Sequence, residues 1–211
     1  MGLTLYFLRH GETPYSQTGR YCGEIDAELT PEGHQMAAAF AAAYSSVSWD
    51  AVYVSPMKRT IATAAPLCQA VGLEMQIRDG LKEIRYGKWE DQSPEFVKEH
   101  YLDDYIRWMT EPAWNPPTGG ETAVEIASRA SLVVAEIEEK YPTGTVLLVS
   151  HKATIRILLC TLLGIDLGRY RDRLNAYAGS VSIVKFGDHG PMLEVLGDRT
   201  YMGDLRHRAG T

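Results

Sequence analysis

The stretch Leu3-Thr4-Leu5-Tyr6-Phe7-Leu8-Arg9-His10-Gly11-Glu12-Thr13 decides how the rest of the chain reads. A β-prone, largely apolar run passes without a break into a cation, a histidine and a glycine, as a buried strand does when it ends at a loop. The pattern returns twice. Ala51-Val52-Tyr53-Val54 runs into Ser55-Pro56-Met57-Lys58-Arg59, and Val146-Leu147-Leu148-Val149 runs into Ser150-His151-Lys152. Helical patterns stand between these runs. One opens at Thr30-Pro31, an N-cap followed by proline at the first helical position, and another stops at Gly72. A third, over 121–141, carries Ile126, Ala130, Val133, Ile137 and Tyr141 on one face, and a fourth runs through Leu163. A further strand is expected over 73–78. Runs 181–186 and 192–196, joined across 187–191, read as a terminal hairpin or edge pair. The alternation predicts an α/β fold with three αβα layers, a mostly parallel sheet and an antiparallel edge. No repeat or linker divides the chain, so residues 1–211 are expected to form one domain.

In a parallel sheet the three cationic loops lie at the carboxyl ends of the strands, where open α/β sheets bind ligands. Two arginines, two histidines and two lysines from distant sequence then converge on one crevice, which would suit an anion. Any single arginine there is more often a loop cap or the partner of one of the 27 acids. Three coincidences at three strand ends argue against that. Segment 86–114 breaks the rhythm and holds seven of the chain's twenty aromatic residues. It reads as a helical insertion over the sheet, and its stripe Val97, Tyr101, Tyr105 and Trp108 either packs down as core or walls a ligand pocket.

Composition narrows the classes. With 45% hydrophobic and 23% charged residues over 211 positions, the chain is neither disordered nor fibrous. Twenty-one basic against 27 acidic residues give a net charge of −6, the wrong sign for a surface that recruits nucleic acid or anionic lipid. The three cysteines, Cys22, Cys68 and Cys160, are odd in number and form no CxxC, which excludes a disulfide framework and a structural zinc site. The run 3–8 is too short for a signal peptide, Tyr6 stands where a myristoylation signal after Met1-Gly2 needs Ser or Thr, and no apolar stretch approaches ~18 residues. A soluble, cytoplasmic protein is expected.

Other phosphate chemistries fail on motif. There is no nucleotide P-loop and no dinucleotide turn. The six histidines include no pair spaced to ligate metal from one helix face, so no metal or other cofactor is expected. The residues six after each cysteine are Glu28, Glu74 and Asp166, where a cysteine phosphatase needs arginine. Segment 26–30 faintly resembles an aspartyl nucleophile motif but follows no strand and reads as a loop.

Histidine as nucleophile remains, and here the sequence resembles the histidine phosphatase superfamily, which includes the cofactor-dependent phosphoglycerate mutases. Leu8-Arg9-His10-Gly11-Glu12-Thr13 is similar to its RHG signature. The supporting pieces follow in the family's order: Gly19-Arg20 with Gly23, Leu29-Thr30-Pro31-Glu32-Gly33, Ser55-Pro56 with Arg59-Thr60, Glu83 before Gly87-Lys88-Trp89-Glu90, Gly119-Gly120-Glu121-Thr122, and Ser150-His151 with Ile155-Arg156. The resemblance implies that His10 attacks phosphorus and carries it as phosphohistidine, which a side chain with a pKa near ~6.5 can do as the neutral base. It implies that Arg9 and Arg59 hold the phosphoryl oxygens, with a protonated His151 as a third cationic donor. Glu83 would protonate the leaving alkoxide and then take a proton from water. Ser16, Cys22, Gly23 and Lys152 are the expected substrate contacts. The chain departs from the family at three of these: Ser16 stands where asparagine is frequent, Cys22 replaces a glutamine, and Lys152 replaces a glycine. A lysine at a helix N-terminus opposes the helix dipole; its ammonium either reaches solvent or Glu121, or pairs with a second acidic group on the substrate.

The resemblance therefore implies a metal-independent phosphatase acting on a small phosphorylated metabolite. Segment 86–90 is similar to the phosphatase branch, which places a mutase second and a non-catalytic phosphate-binding module third. No nucleic-acid or membrane partner is expected, and the edge hairpin could support a homodimer.

Overall fold

Strand β1 (Leu3–Arg9) lies inside a six-stranded sheet and is paired on both sides. The computed structural model describes residues 2–208; Met1, and with it the start of the lipidation motif weighed above, and residues 209–211 lie outside the described residues. After β1 come α1 (Pro14–Thr18), α2 (Pro31–Tyr44), β2 (Ala51–Val54), α3 (Lys58–Val71) and β3 (Met75–Ile77). The aromatic segment forms α4 (Pro94–His100) and α5 (Leu102–Thr110). Then follow α6 (Ala123–Lys140), β4 (Gly144–Ser150), α7 (Lys152–Leu163), α8 (Tyr170–Arg173), β5 (Val181–Gly187) and β6 (Gly190–Asp198). The strand order is β3-β2-β4-β1-β5-β6; the first four are parallel, and β5 and β6 form the antiparallel edge.

Alternation along the strands builds the three layers. Leu3, Leu5 and Phe7 of β1 pack with Tyr53, Val146 and Leu148 against Ile126, Ala130, Val133 and Ile137 of α6 and Ile155 and Leu158 of α7. Leu8, Val52, Val54, Leu147 and Val149 face the other way, onto Phe40 of α2 and Ala64 and Leu67 of α3. Local signals set the helix ends. Thr30 caps α2, Thr122 and Glu125 form a capping box on α6, and Gly72 closes α3 in the left-handed region at φ 72°.

Two expectations need correction. The strand expected over 73–78 is reduced to three residues, because it pairs on one side only, with β2, and β2 offers four positions. The hairpin link is not 187–191: Gly187 pairs with Gly190, leaving Asp188-His189 as a two-residue turn, and Pro191 falls on an edge strand that tolerates it. No helix among the described residues is long and apolar enough to cross a membrane.

The loop after β1 lies directly on the first turn of α2. A Cβ on Gly11 would stand 2.5 Å from the Gly33 carbonyl oxygen, and one on Gly33 would stand 2.2 Å from that of Glu12. The Glu12 carboxylate, 1% exposed, closes the junction by accepting from Thr30 Oγ1 (2.8 Å), Gln17 Nε2 (2.9 Å) and Arg208 Nε (2.9 Å). Gly33→Ala forces backbone apart at this contact and is expected to cost about 1–3 kcal/mol, seen as a lower urea midpoint at unchanged m.

Candidate active site

The β1–β4 ladder ends with Arg9 opposite Ser150, and the next residue on each strand is a histidine. The His10 amide donates to the Ser150 carbonyl at 3.1 Å, and the two imidazoles lie 5.2 Å apart, centre to centre, near the edge-to-face arrangement. His10 Nδ1 is 2.8 Å from the Gly11 carbonyl oxygen. A carbonyl can only accept, so Nδ1 carries the proton and Nε2 keeps its lone pair. Burial and the positive charges of Arg59 and Arg9 hold the His10 proton affinity well below the ordinary imidazole value. The ring is therefore neutral and oriented.

Arg59 comes from the first turn of α3, whose backbone is capped from outside by Asp26 Oδ1 accepting from the Lys58 amide at 2.7 Å. Its guanidinium donates to the carbonyls of Ile25 (2.8 Å) and Gly23 (3.0 Å) and, through Nε, to His151 Nδ1 (3.2 Å). Arg9 is anchored by a 2.8 Å bond to the Ala176 carbonyl, and burial lowers its pKa to about 10. Glu83 arrives on the segment after β3. Its carboxylate accepts from the amides of Ile84 (2.9 Å), Ala153 (3.2 Å) and Thr154 (3.3 Å), so it docks on the N-terminus of α7. Arg129 holds that segment from behind, donating to the carbonyls of Gly80, Lys82 and Glu83 while paired with Glu121 at 2.8 Å.

These groups meet in a cavity of about 330 Å³ at the carboxyl ends of the strands. Its wall carries Arg9, Arg20, Arg59, Lys152, Arg156 and Arg171 against a single carboxylate, Glu83, among the described lining residues. The sequence model of the histidine phosphatase superfamily (branch 1) matches residues 5–199, which takes in all of the sheet but the first two residues of β1, and the whole cavity wall. The chain belongs to this family. Phosphoserine phosphatase 1 of Hydrogenobacter thermophilus is 34% identical over 166 residues, 79% of either chain. The adenosylcobalamin/alpha-ribazole phosphatase of Escherichia coli is 28% identical over 162 residues, 77% of this chain and 80% of its own. Among solved structures, Bacillus stearothermophilus YhfR superposes with a TM-score of 0.88 at 26% identity, covering 95% of this chain and 99% of its own.

Within this histidine phosphatase the structure brings Arg9, His10, Arg59 and Glu83 together on the cavity wall, with Ser16, Cys22 and Lys152 also lining it. His151 differs from expectation. It is fully buried, its Nδ1 accepts from Arg59, and its Nε2–H donates to Ser55 Oγ at 2.8 Å. Burial, Arg59 and His10 push its proton affinity well below the ordinary value, so the ring is neutral here and holds Arg59; the protonated form implied above is that of a ring beside a bound phosphate dianion.

Gly23 is a structural residue: its amide is taken by the Glu90 carboxylate at 3.0 Å, and a Cβ would fall 2.0 Å from the Ile84 carbonyl oxygen. The Ser16 hydroxyl accepts from the Thr13 amide at 2.9 Å in the α1 capping box and donates to the Thr13 carbonyl at 3.0 Å. Burial raises the Cys22 thiol to about 11, leaving it protonated. Lys58 turns outward to Glu28. Lys152 does not reach Glu121, which is occupied by Arg129.

Arg171 and Tyr170 on the wall have no motif to announce them: the last motif quoted above ends at Ile155-Arg156, although the family match runs on to residue 199. The aromatic stripe does both things weighed for it: Val97 and Trp108 are core beside Trp89, and Trp108 also walls the cavity. Among the described residues no cluster of three or more His, Cys, Asp or Glu side chains is placed to hold a metal ion.

The neutral histidines carry a pH signature. Their folded-state affinity is lowered, so the unfolded chain binds more protons, and stability is lost as pH falls through about 6.5. His10→Asn removes one such group; urea unfolding between pH 5 and 7 should show a slope against pH shallower by up to one proton.

Proposed function

We propose that this chain is a metal-independent phosphatase that hydrolyses small phosphomonoesters through a phosphohistidine on His10, residues 1–211 forming one domain. The observation that carries the reading is the His10 ring: Nδ1–H tied to Gly11, and an Nε2 lone pair in a cavity walled by cations. A bare phosphate binder needs neither. The relatives reported above are named as phosphatases of small phosphate esters, which favours hydrolysis over phosphoryl exchange between substrates.

In the first step Nε2 attacks phosphorus in line, the P–N bond forms, and the P–O ester bond breaks with its electron pair leaving on the ester oxygen. Arg9 and Arg59 neutralise the equatorial oxygens with planar N–H forks, the work a metal ion does elsewhere. Glu83, as the carboxylic acid, gives its proton to the departing alkoxide. In the second step its carboxylate takes a proton from water while that water attacks phosphorus and the P–N bond breaks. His151 acts through Arg59: with Nδ1 as acceptor it sets the plane of the guanidinium beside His10.

Free Cys22, Cys68 and Cys160 suit a cytoplasmic setting. The small phosphorylated metabolite is the partner proposed; nucleic acid and membrane are not. The open edge of β6, with Met192 and Leu196 exposed, is where a homodimer would form.

His10→Ala is expected to lose at least about a thousandfold in turnover with EDTA present, while its unfolding transition persists. Acid-quenched wild type should carry an acid-labile phosphoryl group on His10, and its absence during turnover would remove the covalent route. Glu83→Gln should slow an alkyl phosphate at least about tenfold more than p-nitrophenyl phosphate, whose leaving group hardly needs a proton. Equal losses on both would take Glu83 out of the acid role.

A further inference from the structure

The cavity holds more positive charge than one phosphoryl group uses. Arg9 and Arg59 stand with His10 and Glu83 at the strand ends. Lys152, Arg156 and Arg171 lie on the α7–α8 side, and the same three line an adjoining depression, so the cationic surface is continuous between the two. Arg156 is committed to the fold: its Nε donates to the Tyr170 carbonyl at 2.9 Å and its Nη2 to that of Arg171. It thereby fixes the backbone from which Arg171 projects.

Arg171 and Lys152 are not committed in this way. The Arg171 guanidinium lies 3.5 Å from the centre of the Trp108 ring, stacked on it. Its buried Nη1, and the buried Nε1 of Trp108, which is itself only 4% exposed, have no hydrogen-bond acceptor among the described residues. The Lys152 ammonium has neither a hydrogen bond nor a salt bridge among them. The nearby acid, Asp172, is paired with Arg169. Donors held out of water without acceptors cost free energy that an incoming anion recovers, and a guanidinium flattened on an indole loses little further freedom on binding. Burial and the charges of Arg9 and Arg156 push the Lys152 ammonium down to about 8, as happens when cations are crowded with too few anions.

We propose that Arg171 and Lys152, on the platform of Trp108, form a second anion subsite that takes an acidic group on the same molecule as the scissile phosphate. This rests on the phosphatase reading and narrows it to phosphomonoesters that carry a carboxylate or a second phosphate. The cavity's tyrosines, Tyr15, Tyr21, Tyr86 and Tyr170, offer the competing choice, a substrate with an uncharged ring.

Matched pairs of substrates separate these. 3-Phosphoglycerate and glycerol 3-phosphate differ by a carboxylate in place of CH2OH; fructose 1,6-bisphosphate and fructose 6-phosphate differ by the second phosphate. Wild type is expected to favour the acidic member of one pair by at least about tenfold in kcat/KM, and the pair that shows it identifies the group. Arg171→Met keeps an apolar stem on Trp108 and drops the charge; it should shrink that preference to about two- or threefold. Lys152→Met reads the same ratio if the arginine variant does not fold.

A wild type that hydrolyses p-nitrophenyl phosphate yet shows no preference in either pair overturns the subsite, as does a preference that survives in both variants. A wild type that hydrolyses no phosphomonoester, p-nitrophenyl phosphate included, overturns the phosphatase reading instead.

Discussion

Parallel pairing of β1 with β4 carries the site, because both histidines are measured from its last rung. Arg9 stands opposite Ser150, so the residues that follow leave the sheet side by side. A slip of one residue would turn every side chain of β1 to the other face and carry Phe7 and Leu8 out of their separate cores. Antiparallel β5 on the far side of β1 resists that slip, since its own register would have to break as well. The same rung locates the acid. Ser150 Oγ donates to the Leu81 carbonyl at 2.7 Å, which ties the end of β4 to the segment bearing Glu83, and the amides of α7 then receive its carboxylate.

One field serves two purposes here. Arg9 and Arg59 offer donors to phosphate and, adding to the effect of burial by repelling a proton, keep His10 in the form that has a lone pair to give. A chain of net charge −6 thus concentrates its cations where strands from distant parts of the sequence end. The attraction is local to the cavity rather than a property of the whole surface.

The parts legible in sequence were those with strong local causes. A buried strand running into Arg9-His10, a Thr30-Pro31 helix start and a left-handed Gly72 each follow from neighbours in the chain, and they gave the layers and the converging strand ends. What stayed hidden depends on partners far away in sequence. His151 is buried and takes a hydrogen bond from Arg59, 92 positions distant, and together these hold it neutral here, whereas the resemblance implies a cation beside bound phosphate. Gly23 is glycine because Ile84 backbone presses on it, which no motif near position 23 reveals. The hairpin link is ambiguous in sequence for a local reason: glycines flank the turn at both 187 and 190, and Pro191 has the character of a loop residue although it belongs to β6. Arg171 lies beyond the last of the quoted motifs, which ends at Ile155-Arg156. Its meaning comes from Trp108, which belongs to an aromatic segment whose packing and pocket-facing roles cannot be separated by periodicity.

The stacking of Arg171 on Trp108 also gives the site its own chromophore. Trp89 and Trp108 sit 5.3 Å apart, ringed by Tyr21, Tyr86 and Tyr105, while Trp49 lies across the sheet and Trp114 is 70% exposed. Light absorbed by those tyrosines reaches an indole that has a guanidinium pressed on its face. An anion held by that guanidinium changes the electric field on the ring, and with it the colour and yield of emission. Occupancy of the proposed anion subsite is thus expected to register in intrinsic fluorescence, with no label needed to read it.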